Sequence, residues 1–239
     1  MAPSSRNPKR ALYEAFADVA KAVAQSHRLE MLELLAQGER SVEDLADRCG
    51  LPIASTSQHL QVLLGAGLVT VRRDGRRRLY RLVSDAAVEL ICTLRAVAEA
   101  HHAISQQVIR DYFAARDKLD PVTRDELVAR IAEGTATLLD VRPADEFVQG
   151  HLPGALNIPS RDIEARIAEL DPATEIIAYC RGPYCVLSFD AVDRLCARGF
   201  RARRFTEGLP EWRAAGLPVE TTLRRGDDRN PDEVNFLPP

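Results

Sequence analysis

The stretch Ile176-Ile177-Ala178-Tyr179-Cys180-Arg181-Gly182-Pro183-Tyr184-Cys185-Val186-Leu187 decides the fold of half of this 239-residue chain. Its first four residues form an apolar run of strand length, and Val186–Val192 has helical spacing, so Cys180 stands at the mouth of a strand-loop-helix unit. Amides at the start of a helix lack intrahelical partners and carry the positive end of its dipole. They favour a thiolate, a persulfide or a bound oxyanion. Only the thiolate attacks, and nearby positive charge lowers a cysteine pKa from ~8.5 to ~3.5–7.5. Arg181 and the amides of residues 181–185 are the expected source of that charge, so Cys180 is the candidate nucleophile and Arg181 its activator.

Around this unit the pattern alternates. Helices are expected at Arg124–Ala132, near Asp145, at Ser160–Leu170 and at Val186–Arg198, with strands at Ala136–Val141, Ala155–Ile158, 176–179 and Arg201–Thr206. That alternation predicts a small α/β domain with a mostly parallel sheet and its reactive loops at the carboxyl ends of the strands. Pro121 and the residue before it resist helix, so 118–123 is expected to link a domain at 10–117 to one at 124–220. The remainder, 221–239, carries Pro231, Pro238 and Pro239, lacks apolar periodicity and is expected to be loosely ordered.

The amino-terminal half follows a different rule. Apolar positions recur at helical spacing in three short segments: Leu29, Leu32 and Leu35; Val42, Leu45 and Ala46; and Leu60, Leu63 and Leu64. Gly38 ends the first, Ser41 with Asp44 has the form of a capping box with Asp in place of Glu, and Gly50-Leu51-Pro52 turns into the third. This is the layout of a mainly α winged helix-turn-helix. The third helix, expected at Ile53–Ala66, starts with Ser55, Thr56, Ser57, Gln58 and His59, side chains small and polar enough for a major groove. Two alternating strands joined by Asp74-Gly75 follow and hold six arginines, among them Arg72, Arg73, Arg76, Arg77 and Arg78. Arginines there suit phosphates or a minor groove and give salt-dependent affinity, while Gln58 and His59 suit base contacts.

Through Ser26-His27-Arg28-Leu29, Ser57-Gln58-His59-Leu60 and Gly65-Ala66-Gly67-Leu68-Val69, residues 10–115 resemble the ArsR family of dimeric winged-helix repressors. The resemblance implies a homodimer held by the first and last helices, here Arg10–Ala24 and Ser84–Ala115, on a palindromic double-stranded DNA operator that an inducer releases. Many members sense metal through a cysteine pair in the first helix of the motif. This chain has Glu39-Arg40-Ser41-Val42-Glu43-Asp44 there, and its adjacent His101-His102 point about 100° apart on a helix, so no metal or cofactor is expected. Some members link an early and a late helix through thiols. Cys49 and Cys92 fit those places, and stand either as that sensor pair or as small buried residues.

The second half is similar to the rhodanese family. The likeness rests on Leu139-Asp140-Val141-Arg142, Glu146-Phe147, Gly150-His151-Leu152-Pro153-Gly154-Ala155-Leu156-Asn157-Ile158-Pro159, the Cys180 loop, Gly208 and Trp212. It implies transfer of a sulfane sulfur from a small sulfur-containing donor, carried on Cys180 as a persulfide, with Arg181, Gly182, Pro183, Tyr184 and Cys185 as the substrate loop. Asp140, Arg142, Glu146 and His151 read as structural, with Asp140 placed to accept from the loop amides. The commoner loop is Cys-Arg-x-Gly-x-Arg. Here Cys185 replaces the last arginine, which weakens the case for thiosulfate turnover and leaves two readings: a resolving thiol for Cys180, or packing beneath the loop. Cys196, among Val192, Leu195 and Ala197, reads as core.

Composition bounds the function classes. Five cysteines are an odd number and do not form a disulfide framework, no apolar stretch approaches the ~20 residues of a membrane span, and the amino terminus carries no apolar secretion segment. A cytoplasmic protein with no membrane partner is expected. The net charge of −3 hides a split, with the basic excess in residues 1–118, which suits either a polyanionic partner or a solvated face. Three readings follow: a repressor whose second domain handles reactive sulfur, a sulfurtransferase or thiol-dependent reductase tethered to DNA, and an idle rhodanese fold used as a binding module.

Overall fold

The computed structural model describes residues 7–117 and 120–222, folded as two domains. Helix α1 (Pro8–Val23) starts on Asn7, whose side chain accepts from the Lys9 amide. Arg28 donates to the Lys21 and Ala22 carbonyls at its far end and so ties α1 to α2 (Ser26–Ala36). Strand β1 (Arg40–Ser41), α3 (Val42–Cys49) and α4 (Ile53–Gly65) follow. The Ser41 hydroxyl accepts from the Asp44 amide, and Gly50 ends α3 at φ 62°, a conformation glycine adopts without a side-chain clash. Only half of the expected capping box forms, because Arg40 and Arg48 take the Asp44 carboxylate.

The wing is β2 (Val69–Asp74) with β3 (Arg77–Leu82), and β1 pairs on the other side of β3. Asp74 lies opposite Arg77, so the two-residue turn is Gly75-Arg76 and not the expected Asp74-Gly75. Gly75, at φ 58°, supplies the positive φ that the first turn position needs, and it sets the register. Leu32, Leu35, Leu45, Leu60, Leu63 and Tyr80 form the buried core beneath.

The single last helix expected at Ser84–Ala115 is broken. Helix α5 (Ala86–His101) stops where His102 becomes extended, and the His102 ring accepts from the Ser105 amide to begin α6 (Ala103–Val108). A side chain that caps an amide competes with helix continuation. A π turn (Ile109–Phe113) and a 3-10 turn (Ala114–Arg116) finish the segment.

The second domain runs α7 (Arg124–Glu133), β4 (Ala136–Asp140), α8 (Ala144–Phe147), β5 (Leu156–Asn157), α9 (Ile163–Arg166), β6 (Glu175–Cys180), α10 (Val186–Ala197), β7 (Ala202–Gly208) and α11 (Leu209–Ala214). Its sheet has the order β5-β4-β6-β7 and every described pair is parallel. Alternation along β6 splits the core: Ile176, Ala178 and Cys180 face α10, while Ile177 and Tyr179 face Leu127, Leu209 and Trp212. The helix expected at Ser160–Leu170 shrinks to α9 between two 3-10 turns, because burial of Ile163 and Leu170 fixes both ends of a segment too short to be a stable helix by itself.

The expected linker is partly domain. Val122 is buried and exchanges backbone bonds with Arg204 and Thr206, so it joins β7 as an added bridge. At the other end, Glu220 pairs with His151, and Thr221 and Thr222 both bond to the Val148 carbonyl; the rest of the expected loose tail, 223–239, lies outside the described residues. Among the described residues no helix is long and apolar enough to cross a membrane.

Candidate functional site: a cysteine loop against a winged helix

Cys180 is the last residue of β6, 1% exposed, and Cys185 is the N-cap of α10. The loop between them folds back, with the Cys185 amide donating to the Gly182 carbonyl at 3.2 Å and the Ser188 hydroxyl to the Cys185 carbonyl at 3.0 Å. Their Cα atoms are 6.2 Å apart and the sulfurs are joined as a disulfide. No side chain caps α10, whose Ser188 amide donates to the Cys185 carbonyl at 3.4 Å. A bulge between Ala178 and Cys180 brings Gly208 of β7 against the loop, where any Cβ would overlap the Arg181 carbonyl and the Gly182 nitrogen. This close approach is why glycine stands at 208.

Arg181 does not lend its charge to Cys180 as the sequence predicts: its guanidinium is committed to Glu146, with Nη2 at 2.7 Å from Oε1 and Nε at 3.0 Å from Oε2. Glu146 is fully buried and takes two more cations from the first domain: Arg48 Nη1 at 2.9 Å and Arg40 Nη2 at 3.2 Å. Asp145 accepts from Arg48 and Arg40 at 2.8 and 3.1 Å. Asp140 accepts from the buried Arg142 and not from the cysteine-loop amides that the sequence predicts, and Arg142 in turn donates to Gln37 at 3.0 Å. Gln37 also donates to the Arg181 carbonyl at 3.3 Å. His151 is structural: its ring stacks on Phe147 and bonds that residue's carbonyl.

The other loop residues face the same junction. The Tyr184 hydroxyl donates to Glu99 at 2.7 Å, and burial, with that carboxylate adding to it, holds the phenol above its ordinary pKa. Pro183 accepts from Arg204. Gly182 lies beside the carboxylates of Glu211 and Glu33, and burial pushes the Glu33 carboxyl up. Glu211 is paired with Arg95 at 3.0 Å, and a cleft of about 530 Å³ lined by Cys92, Arg95, Glu99, Tyr184, Glu207 and Glu211 opens alongside.

Two of the remaining thiols are held in the protonated form by their surroundings. Burial pushes Cys49 up to about 11, with Glu30 adding to it, and Cys92 is raised by burial and by Glu211, whose carboxylate it approaches at 3.8 Å. Both are free, with different carboxylate neighbours. Cys196 is free and its thiol approaches the Ala202 carbonyl. No group of three or more His, Cys, Asp and Glu among the described residues is arranged to hold a metal ion.

On the DNA side, Gln58 is exposed and Ser55, Ser57 and His59 are half-buried at the start of α4. Thr56 needs a correction: it is fully buried, with its hydroxyl turned back to the Pro52 carbonyl at 3.2 Å, so it cannot enter a groove. The helical period places it on the core face with Leu60 and Leu63. Arg73, Arg76, Arg77 and Arg78 are exposed and make no ion pair among the described residues, whereas Arg72 is clamped by both oxygens of Glu39. Sequence reading missed the roles of Gln37, Arg40 and Arg48. The available signal was an arginine, Arg40, in a polar run that had to carry a strand into the core.

A winged-helix DNA-binding domain packed on a rhodanese fold defines the class of this protein. Family models for a helix-turn-helix domain and a rhodanese-like domain match residues 23–72 and 123–215. The HTH-type transcriptional regulator Rv0324 of Mycobacterium tuberculosis is 42% identical over 212 residues, which span 89% of this chain and 93% of that protein. The chain belongs to the ArsR-type helix-turn-helix regulators that carry a rhodanese domain. The HTH-type transcriptional repressor SmtB of the same species is 36% identical over 93 residues, 39% of this chain and 67% of that one. A homodimeric winged helix-turn-helix domain from Mycobacterium bovis, 40% identical, covers 44% of this chain and 95% of its own, with a TM-score of 0.39.

Proposed function

We propose that this protein is a cytoplasmic, homodimeric repressor that releases its operator when its rhodanese domain meets reactive sulfur. The observation that carries the reading is the Cys180–Cys185 bond in a loop that leans on the winged helix. The Cys180 thiolate attacks the sulfane sulfur of an inorganic polysulfide or organic persulfide. The donor S–S bond breaks, the donor leaves as a thiolate or shorter polysulfide, and Cys180 holds a persulfide. The Cys185 thiolate then attacks the Cys180 sulfur, and the outer sulfur leaves as hydrosulfide with the bonding pair. Two cysteine thiols have become a disulfide and one sulfane sulfur has been reduced. A small thiol reductant returns the pair to the dithiol.

The dimer seam is supported by apolar side chains left exposed on α1 (Leu12, Tyr13, Phe16) and α5 (Leu94, Val97), a larger display than a monomer needs. DNA contact is assigned to Ser55, Ser57, Gln58 and His59 for bases, and to Arg73, Arg76, Arg77 and Arg78 for phosphates. The test is a gel shift on duplex selected from a random-sequence pool by the reduced protein. Polysulfide is expected to release the wild type and leave Cys180→Ser bound; equal release of both would end the reading.

A further inference from the structure

We propose that Glu146 is the coupling residue between the cysteine loop and the winged helix, acting as a buried anion for which the two domains compete. This deepens the function proposed above and rests on it. Glu146 lies on α8 with its side chain out of solvent. On one side it holds Arg181, the residue bonded to Cys180, through three hydrogen bonds. On the other it meets Arg48, in the last turn of α3, and Arg40, on β1. Helix α3 packs on the recognition helix α4, and β1 pairs with β3 of the wing, Arg40 lying opposite Tyr80. Both elements assigned to DNA therefore reach Glu146, the carboxylate they share with the cysteine loop, while Asp44 and Asp145 hold the same two arginines at their outer side.

The node is not saturated. Three guanidinium groups converge on its two oxygens, and Arg40 Nη2 is buried without a well-aligned hydrogen-bond acceptor although Glu146 Oε1 lies 3.2 Å away. An unmet buried donor is costly, so the winged helix stands to gain whatever the loop gives up. While Arg181 grips Glu146, Nη2 of Arg40 goes short, its Nη1 and Nε being held by Asp44, Asp145 and the Leu34 carbonyl; when the loop shifts Arg181, the freed oxygen turns to Nη2 and draws β1 with it. Opening or closing the Cys180–Cys185 bond changes the span of the five-residue step that carries Arg181. Gln37 adds a second tie, holding the Arg181 carbonyl and the Arg142 guanidinium from the end of α2. These are two arrangements of packed groups that both sites bias, as coupling requires.

The test uses full-length protein and the selected duplex, read by fluorescence anisotropy in dithiothreitol and after polysulfide, with the thiol state followed by intact mass. The wild type is expected to change Kd by about tenfold or more, and Glu146→Gln by no more than about twofold while forming the same disulfide. Should Glu146→Gln fail to fold by circular dichroism, Arg48→Met, which cuts the node from the half-exposed α3 side, decides in its place. Linkage supplies an independent reading: duplex must shift the wild-type dithiol–disulfide equilibrium by the same factor and leave that of the variant unmoved. A wild type that oxidises without changing affinity overturns the sulfur-responsive reading itself. A wild-type response retained in the folded variant overturns the coupling through Glu146 alone.

Discussion

Removing charge from the wing separates arginines that the sequence treats as equal. Arg76, Arg77 and Arg78 are exposed and make no ion pair within 4 Å among the described residues, whereas Arg72 spends its charge on Glu39, which raises its pKa through hydrogen bonds to that carboxylate. Each phosphate neutralised on B-DNA adds about 0.9 to the slope of log affinity against log salt, so losing three arginines on both wings of a dimer lowers it by up to about 5. Arg72→Ala removes a cation already matched by an anion and is expected to lower the slope by less than about 1. The assay is anisotropy with labelled duplex at four or more salt concentrations, fitting the slope for wild type, Arg72→Ala and the triple alanine variant. Selected and scrambled duplexes should lose affinity alike in the triple variant, because phosphates carry no sequence. If Arg72→Ala costs as much slope as its share of the triple variant, or the triple variant keeps the wild-type slope, the division of the wing into paired and free cations is wrong.

Cys185→Ser removes the resolving thiol, so polysulfide should leave one extra sulfur on Cys180 by intact mass, where the wild type loses two hydrogens; a wild type that also retains the sulfur would refute this. Asp140→Ala leaves the fully buried Arg142 with only the Gly150 carbonyl and Gln37 as acceptors among the described residues. A loss of about 3–5 kcal/mol in urea unfolding is expected, and one below about 1 would contradict it. Gly208→Ala drives a methyl into the loop backbone, where neither partner is a movable side chain. About 1–3 kcal/mol should be lost, and unchanged stability would show that β7 and the loop sit further apart. Cys49 has an ordinary value of 9.0 raised to about 11 in the fold, so its contribution to stability is complete below 9 and is lost as pH rises through 11. Alkylation of Cys49 by iodoacetamide should accordingly accelerate only as the pH nears 11; rapid labelling at neutral pH would show an activated thiol there.

Most of the elements and the likeness to both families were legible in the residues alone, because those signals are local. Helical spacing in Leu29–Leu64, the alternation through β6 and the Cys180–Cys185 loop are all written within a few residues of where they act. Errors of register stayed local as well: Gly75 moved the wing turn by one residue, and His102 broke a helix by capping the next. Thr56 was legible in principle, since the period that buries Leu60 and Leu63 also turns Thr56 inward. What Arg181 does depends on contacts distant in the chain. Its partner Glu146 is 35 residues away, and the other claimants, Arg40 and Arg48, come from the other domain. A charge in a sequence carries no address: which anion it meets depends on desolvation at a buried junction, where a few tenths of an ångström and one shared carboxylate choose among several cations.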